Sequence, residues 1–332
     1  MSHKPLLPIC DAQTAKTTIL HRSPVGEAPL PPSLVAGIKR VFGEPLTPEA
    51  AVRRILTDVR RRGDRAVAGW TAKIDGYTPA DFTVPPADID RAYHTLNPDL
   101  RDALHFAADR IRRFHRRQPG QSWLHWRDDG GALGQMVRPL ERVGVYAPGG
   151  TAPYPSTLLM CAVTAAVAGV KEIVVATPSG EGGCVAPVLL AAAKVAGVST
   201  VYRIGGAQAI GALAYGTESI AKVDKIVGPG NIFVVTAKRQ VYGMVDIDGL
   251  PGPTETLVIA GPDANPALVA ADLLAQAEHD PLAAAILITP SRRLALAVQV
   301  ELARQIEPLS RAAIIAEALQ NQGGAVICAD LK

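Results

Sequence analysis

The chain has 332 residues, a formal net charge of +3, 48% hydrophobic residues and only 5% aromatic residues. This length favours about two domains, and so small a net charge argues against nucleic acid or a membrane surface as the partner. A core built from Ala, Val, Leu and Ile favours helices on a mostly parallel sheet over a β-sandwich. The four scattered cysteines form no Cys-x-x-Cys pair, so we expect reduced thiols rather than a zinc knuckle or a disulfide framework.

The location of the protein is predicted from two features of the sequence. The opening Met1-Ser-His-Lys-Pro-Leu lacks the apolar core of a targeting segment. The longest apolar run, residues 158–170, is shorter than the ~20 residues that a membrane span needs. We therefore expect a cytoplasmic protein with no membrane partner.

The N-terminal third is predicted to be helical and charged. Apolar residues recur at helical spacing over residues 48–69 and again over 99–118. The second helix also carries a cluster of arginines near its C-terminal end. The cluster is either an anion-binding patch or a solvated face, and we favour the solvated face because cations suit the C-terminal end of a helix dipole.

From about residue 132 the pattern changes to alternating short strands and helices. The predicted strands are 143–146, 172–177, 201–204 and 225–227, and the helices are 156–169, 185–197, 207–216 and 231–242. A second series has strands 256–259, 284–288 and 325–328 with helices 266–278, 292–306 and 311–321. Such βαβ series predict twisted parallel sheets.

The Pro- and Gly-rich segment 246–253 is predicted to be a crossing between domains. We therefore predict an α/β protein with two Rossmann-like open parallel-sheet domains, one inserted in the other, and a helical N-terminal region. The predicted boundaries are an N-terminal arm of residues 1–24, a discontinuous domain of 25–138 with 250–332, and an inserted domain of 139–249.

Small, polar, glycine-rich clusters follow several predicted strands, where open α/β sheets bind ligands. They are Tyr146-Ala-Pro-Gly-Gly-Thr151, Gly205-Gly-Ala-Gln208, Gly228-Pro-Gly-Asn231 and Gly252-Pro-Thr-Glu255. The third cluster precedes a helix and could hold an anion, or it could be a simple capping turn. It departs from the dinucleotide fingerprint because Phe233 stands where the third glycine is expected. An amide at Gln208 or Asn231 could bind a nucleotide or merely cap the helix.

Gln276 and His279 are three residues apart, so they share one face of a helix. His is a favoured zinc ligand and Gln an uncommon one, and a zinc site needs three or four protein ligands. On spacing alone, an ordinary histidine at the C-terminal end of a helix is the simpler interpretation.

Six ordered segments together resemble the histidinol dehydrogenase family. They are 141–157, 205–217, 225–231, 237–241, 252–255 and 272–281, within a resemblance that runs from about residue 25 to the end. The resemblance implies a cytoplasmic homodimer of histidine biosynthesis. It implies an enzyme that oxidises L-histidinol to L-histidine through an aldehyde, with NAD as the oxidant and one zinc ion per site.

The resemblance also assigns roles to six residues. Tyr146, Gln208 and Asn231 match positions that contact NAD in the family. Thr254 matches a substrate-contacting position that is usually Ser, and it keeps the hydroxyl group. Gln276 and His279 match two zinc ligands that also contact the substrate.

The rest of the family's site has no counterpart in residues 1–332. The family's catalytic Glu-His pair, its remaining Asp and His zinc ligands and a substrate-binding Glu lie beyond the point that matches Lys332, and no Pro-Glu-His sequence occurs in the chain. The sequence therefore predicts a truncated chain that does not turn over L-histidinol by itself. Two alternatives stay open: a non-catalytic remnant that binds NAD weakly or not at all, and, less favoured, a different α/β dehydrogenase.

Overall fold

The protein contains two parallel sheets, each in its own compact unit. The structure is a computed structural model that describes residues 5–21, 30, 32–78, 80–118, 120–149, 153–250 and 254–331. The strands are β1 (Ile9–Asp11), β2 (Trp123–Trp126), β3 (Ala132–Gln135), β4 (Arg142–Tyr146), β5 (Glu172–Ala176), β6 (Thr200–Tyr202), β7 (Lys225–Val227), β8 (Asp246–Ile247), β9 (Glu255–Ile259), β10 (Ala284–Thr289) and β11 (Gly324–Ile327). The helices are α1 (Ala12–Thr17), α2 (Pro32–Phe42), α3 (Pro48–Arg62), α4 (Asp64–Asp75), α5 (Pro86–Thr95), α6 (Pro98–His115), α7 (Pro155–Val167), α8 (Pro187–Ala196), α9 (Gly206–Tyr215), α10 (Ile232–Val241), α11 (Pro266–Ala277), α12 (Arg292–Ile306) and α13 (Ala312–Asn321).

Contacts between residues divide the chain into a unit of Leu30–Pro251 and a unit of Met1–Pro29 with Gly252–Lys332. The first unit is inserted between the two segments of the second. The fold prediction, with open parallel sheets and one unit inserted in the other, is therefore confirmed. The predicted crossing lies partly outside the described residues, as do parts of two glycine-rich clusters: residues 150–152 and 251–253 are not described.

The predicted domain boundaries need correction in two places. The sequence groups residues 25–138 with 250–332, but helix α3 packs on α9, where Val52 and Ile55 share a core with Ile210 and Leu213. The described residues of the predicted arm 1–24 include β1, which pairs in parallel with β11. The apolar face of a predicted helix indicates that the helix packs on another element, but it does not indicate which sheet or helix that element is. The sequence therefore does not assign α3 to its unit.

The sheet of the Leu30–Pro251 unit has the strand order β6-β5-β4-β7-β8, and every pair is parallel. Side chains alternate between its two faces, as the pleat requires. Val143 and Val145 of β4 lie in one core with α7 and α8, whereas Tyr146 lies in the other core with α3 and α9. Both faces are therefore covered by helices, which explains why these strands read as continuous apolar runs.

Strand order reverses at β4, because β5 and β6 lie on one side of it and β7 and β8 on the other. Ligands of open α/β sheets bind in the crevice at the carboxyl ends of the strands at such a reversal. The fold thus places Tyr146, the last residue of β4, at the position where a ligand is expected.

The second unit has the parallel strand order β1-β11-β10-β9. Its core contains apolar residues of α11, α12 and α13 packed on β10 and β11. Strand β9 is at the edge of this sheet, and its residues alternate between half-buried and exposed. Within the described residues, no helix combines the length and hydropathy that crossing a membrane requires.

Two local features differ from the sequence prediction. The single helix predicted over 48–69 is broken at Gly63, whose φ of +52° is strained for any residue with a side chain. The Glu218 carboxylate accepts a hydrogen bond from the Asp64 backbone at 2.8 Å and so caps the new helix. The antiparallel hairpin of β2 and β3 is absent from the sequence prediction, and all of its residues are exposed.

Candidate functional site

The predicted glycine-rich clusters of the Leu30–Pro251 unit lie at the carboxyl ends of neighbouring parallel strands. Residues 147–149 follow β4, 205–208 follow β6 and 228–231 follow β7, and the loop 177–179, which was not among the predicted clusters, follows β5. Because the carboxyl ends of parallel strands share one edge of a sheet, these clusters converge there. Tyr146 at the end of β4 and Gln208 in the first turn of α9 therefore belong to the same edge.

Tyr146 and Gln208 meet at the backbone of Gly206. The Gly206 N–H donates to the Tyr146 hydroxyl at 3.1 Å. Gly206 has a φ of +64°, and a Cβ atom at this position would lie 2.7 Å from the Gln208 Oε1 atom. The positive φ therefore favours glycine at this position, and the Gln208 side chain approaches the Gly206 backbone closely.

Gln208 is fully buried, with 0% of its surface exposed, and neither atom of its amide group has a hydrogen-bond partner. Leaving a buried polar group unpaired costs about 1–3 kcal/mol, so such groups are rare and need an explanation. The amide offers one acceptor and two donor hydrogens to a ligand at this edge of the sheet.

Tyr146 is held in its neutral form. Burial raises the pKa of its hydroxyl to about 12, the Gly206 N–H opposes this, and the Asp75 carboxylate adds to it. The hydroxyl oxygen accepts from Gly206 and keeps its own proton to donate. A neutral phenol at the carboxyl end of β4 can therefore act as a hydrogen-bond donor across the physiological pH range.

Three further polar residues of the same unit were not identified from the sequence. The hydroxyl groups of Thr177 and Ser179, in the loop after β5, are buried and have no hydrogen-bond partner. Burial raises the pKa of Asp75 to about 6, and its Oδ2 atom is also unpaired. The signal in the sequence was Thr177-Pro-Ser179 directly after a strand, but nothing in the sequence separates it from an ordinary loop.

Asn231 serves as a helix cap in this structure. Its Oδ1 atom accepts hydrogen bonds from the backbone N–H groups of Phe233 at 3.1 Å and Val234 at 3.2 Å, at the start of α10. The capping alternative that the sequence left open is thus observed. An NAD contact of Asn231 remains a prediction.

The three predicted residues of the other unit lie near the start of β9 and the end of α11. Gln276 donates from Nε2 to the Thr254 carbonyl at 3.1 Å and accepts at Oε1 from the Thr256 hydroxyl at 2.8 Å. His279, one turn further along, is exposed, and its backbone N–H donates to the Gln276 carbonyl at 3.3 Å. Gln276, His279 and Asp272 line one side of a groove of about 530 Å³ beside β9.

These donors fit part of a zinc coordination shell. The Gln276 carbonyl oxygen has two lone pairs and one is used by Thr256, so one is left for a metal, and an exposed imidazole is a common zinc ligand. Within the described ranges there is no group of three or more His, Cys, Asp or Glu side chains that could hold a metal ion. Two donors do not complete the three or four protein ligands of a zinc site.

Comparisons with known proteins agree on one family. The family model described as histidinol dehydrogenase matches residues 44–332. The histidinol dehydrogenase of Deinococcus radiodurans is 55% identical over 283 residues, which are 85% of this chain and 64% of the relative. That of Moorella thermoacetica is 54% identical over 284 residues, which are 85% of this chain and 67% of the relative.

A solved structure supports the same grouping. The crystal structure of histidinol dehydrogenase from Elizabethkingia anophelis is 33% identical, with a TM-score of 0.84 over 99% of this chain and 72% of that chain. The chain thus spans about two thirds of the length of the curated relatives that it matches. It belongs to the histidinol dehydrogenase family.

Proposed function

We propose that this chain provides the NAD-binding site and part of the substrate and zinc site of an enzyme that oxidises L-histidinol to L-histidine through the aldehyde. The observation that supports this most strongly is the buried amide group of Gln208. It has no partner of its own, and it lies beside Tyr146 where the strand order of a parallel sheet reverses. A ligand with its own amide, hydroxyl or carbonyl groups would supply the missing hydrogen bonds.

Tyr146, Gln208 and Asn231 would hold the cofactor. The neutral Tyr146 hydroxyl donates a proton, and the Gln208 amide both donates and accepts, which matches the carboxamide and ribose groups of NAD. Asn231 fixes the first turn of α10 by its cap, so that the N-terminal end of this helix keeps its orientation. NAD, when bound, accepts the hydride that leaves the substrate carbon.

Thr254, Gln276 and His279 would contact the substrate, and the last two would also be zinc ligands. Zinc, when bound, polarises a carbonyl or alkoxide oxygen. In this chain, Gln276 donates to the Thr254 carbonyl and accepts from the Thr256 hydroxyl, and these two hydrogen bonds fix the end of α11 against the start of β9. That contact orients the amide oxygen and keeps the backbone of Thr254 in place.

We further propose that the 332-residue polypeptide binds NAD but does not turn over L-histidinol by itself. The sequence contains no Pro-Glu-His segment, so the pair that serves as general acid and base in the family has no counterpart in it. A positioned base typically contributes ~100- to 10,000-fold in rate. The alternative is a non-catalytic remnant in which even NAD binding is weak or lost, and the two differ in the affinity for NAD alone.

The test is a pair of measurements on the purified 332-residue polypeptide. Calorimetric titration with NAD measures binding, and NADH absorbance with L-histidinol, NAD and zinc measures turnover beside a full-length family member. We expect saturable NAD binding that Gln208→Met weakens about tenfold or more, through the loss of about 1.4 kcal/mol or more of binding free energy. A matched control is Gln240→Met, because Gln240 lies in the same unit and donates to the Glu49 carbonyl at 2.9 Å.

Two outcomes would contradict the proposal. Binding that is equally strong in wild type and Gln208→Met would remove the amide from the NAD site. Turnover near that of the full-length enzyme would mean that a base within this chain, for example Glu255 or Glu278, does the work.

By the same resemblance we propose that the protein is a cytoplasmic homodimer. The measurement is the mass of the purified protein by light scattering across a concentration series. A monomer at every concentration would contradict the dimer.

A further inference from the structure

We infer that Lys238 and Asp248 are positioning residues that clamp the peptide of Gly228 and thereby fix the cofactor-binding loop after β7. The inference rests on the proposed NAD site, and it adds two residues that do not themselves touch the cofactor. The loop is Gly228-Pro-Gly-Asn231, which joins β7 to α10.

The clamp begins with a lysine that is completely buried. Lys238, on α10, has 0% of its surface exposed, and its Nζ atom donates to the Gly228 carbonyl at 2.9 Å. The same Nζ forms an ion pair with the Oδ1 atom of Asp248, just after β8. Lysine is almost never fully buried unless it is paired, so both contacts explain how the charge is retained inside the protein.

Asp248 closes the clamp from the other side. Its Oδ2 atom accepts a hydrogen bond from the Gly228 N–H at 2.7 Å. The N–H of Gly228 is therefore held by Asp248, its carbonyl is held by Lys238, and the two holding side chains are bound to each other. A closed ring of this kind fixes the orientation of one residue's backbone at both of its polar groups.

The residue that is held adopts a backbone conformation which glycine tolerates and other residues rarely adopt. Gly228 has a φ of +111°, and a Cβ atom there would lie 2.2 Å from the Tyr146 carbonyl oxygen. The loop therefore passes directly against the end of β4. Any rotation of the Gly228 peptide would move the loop relative to Tyr146, which is one of the residues proposed to contact NAD.

Energetics favour positioning over stability as the role of the pair. Burying the Lys238 charge costs desolvation free energy that offsets part of its attraction to Asp248, whose side chain remains 34% exposed, and replacing a buried ion pair by apolar residues of similar volume is often neutral or stabilising. The nearby Cys161 thiol adds no competing charge, because its pKa is raised to about 11. Burial is the largest cause, the charge of Asp248 adds to it, and the charge of Lys238 opposes it. What apolar residues could not reproduce is the hold on the Gly228 peptide.

The experiment compares three variants of the 332-residue chain with a matched control. The variants are Lys238→Met, Asp248→Asn and the double variant Lys238→Met/Asp248→Leu. The control is Lys225→Met, which breaks an ion pair of 2.6 Å between the neighbouring β7 and β8 residues Lys225 and Asp246 at the surface. Measured quantities are the thermal midpoint, the hydrogen exchange of residues 228–232 and the dissociation constant for NAD.

We expect the double variant to stay folded with a somewhat lower thermal midpoint, because the N–H and the carbonyl of the buried Gly228 both lose their partners. Its loop should exchange ~100-fold faster, since local opening is no longer opposed by the clamp, and its dissociation constant for NAD should rise about tenfold. Lys225→Met should change neither quantity. Asp248→Asn keeps an acceptor for the Gly228 N–H, so it should restore part of the exchange protection.

Each result counts for or against the inference. Unchanged loop exchange in the double variant overturns it, and so does faster exchange with unchanged NAD affinity. If wild type fails to bind NAD at all, the proposed function fails; faster exchange would then still support the clamp as the element that fixes this loop.

Discussion

Replacing Asp75 by Asn is expected to stabilise the Leu30–Pro251 unit at neutral pH and to have little effect in acid. Burial raises the pKa of this carboxyl group from 3.8 to about 6, so the folded state disfavours its charge. Below pH 3.8 the Asp75 carboxyl is protonated in both the folded and the unfolded state, and its full contribution to the stability of the folded state is present. That contribution is lost as the pH rises through about 6.

The size of the effect follows from the difference between the two pKa values. That difference corresponds to a ceiling of about 3 kcal/mol in the free energy of unfolding. Because Asp75 is only half-buried, solvent screening reduces this ceiling, and we expect Asp75→Asn to gain about 1–2 kcal/mol above pH 7. The gain should shrink steadily between pH 6 and pH 4.

Urea unfolding followed by tryptophan fluorescence measures this unit selectively. The chain has three tryptophans, Trp70, Trp123 and Trp126, and all of them lie in Leu30–Pro251. Midpoints and slopes at pH 5, 6, 7 and 8, at constant ionic strength, give the free energy of unfolding of wild type and variant.

Asp58→Asn is the control with the opposite sign. Hydrogen bonds from Arg62 first, and then from Trp70, lower the pKa of Asp58 against the effect of burial. Its contribution is therefore present at neutral pH and lost only as the pH falls below the ordinary range of an aspartate. If Asp75→Asn does not raise the free energy of unfolding at pH 8, or raises it equally at pH 5 and pH 8, the reasoning from burial is refuted.

Four further predictions concern single substitutions. Gly228→Ala should lose more than ~2 kcal/mol in urea unfolding, because the new Cβ meets a backbone oxygen at 2.2 Å, whereas Gly243→Ala, with a φ of +95° but open space, should lose only about 1 kcal/mol. Gln276→Leu should lose about 1–3 kcal/mol by leaving its two partners unpaired, whereas His279→Ala, at an exposed position, should stay within ~0.5 kcal/mol. Calorimetry with zinc should give weak binding that His279→Ala abolishes, and a tightly held ion after chelator dialysis would contradict this. Thr177→Val should leave stability unchanged or slightly raised, since its buried hydroxyl has no partner, and a clear loss in urea unfolding would count against this.

The parallel sheets were predictable because their strands carry a signal that is independent of context. Residues 143–146 and 173–176 are buried on both faces, so each reads as an apolar run between small-residue loops. By contrast, β8 has two residues, and its pairing with β7 depends on a chain return of about twenty residues. The sequence suggested only a loop there.

The candidate site was predictable to the extent that family motifs mark it. The motifs alone predict a role for Tyr146 and Gln208, but the reason that these two residues belong together is the Gly206 backbone, which contacts both. Asp75 and Thr177 carry no such mark. They reach the site region through helix packing and strand order, which no motif in the sequence encodes.

Gln208 and Gln276, which lie in different units, differ in a way that decides how each side chain can act. The Gln208 amide is buried with no partner, so a ligand adds hydrogen bonds and removes none. The Gln276 amide already bonds to Thr254 and Thr256, so a metal must share its oxygen with the Thr256 hydroxyl or displace it. The Gln208 amide is therefore free to bond to a ligand, whereas a metal that binds Gln276 meets an added cost. If Thr256→Val frees that oxygen, zinc should bind more tightly to this polypeptide, and an unchanged or weaker affinity would show that the Thr256 hydroxyl orients the ligand instead of competing with the metal.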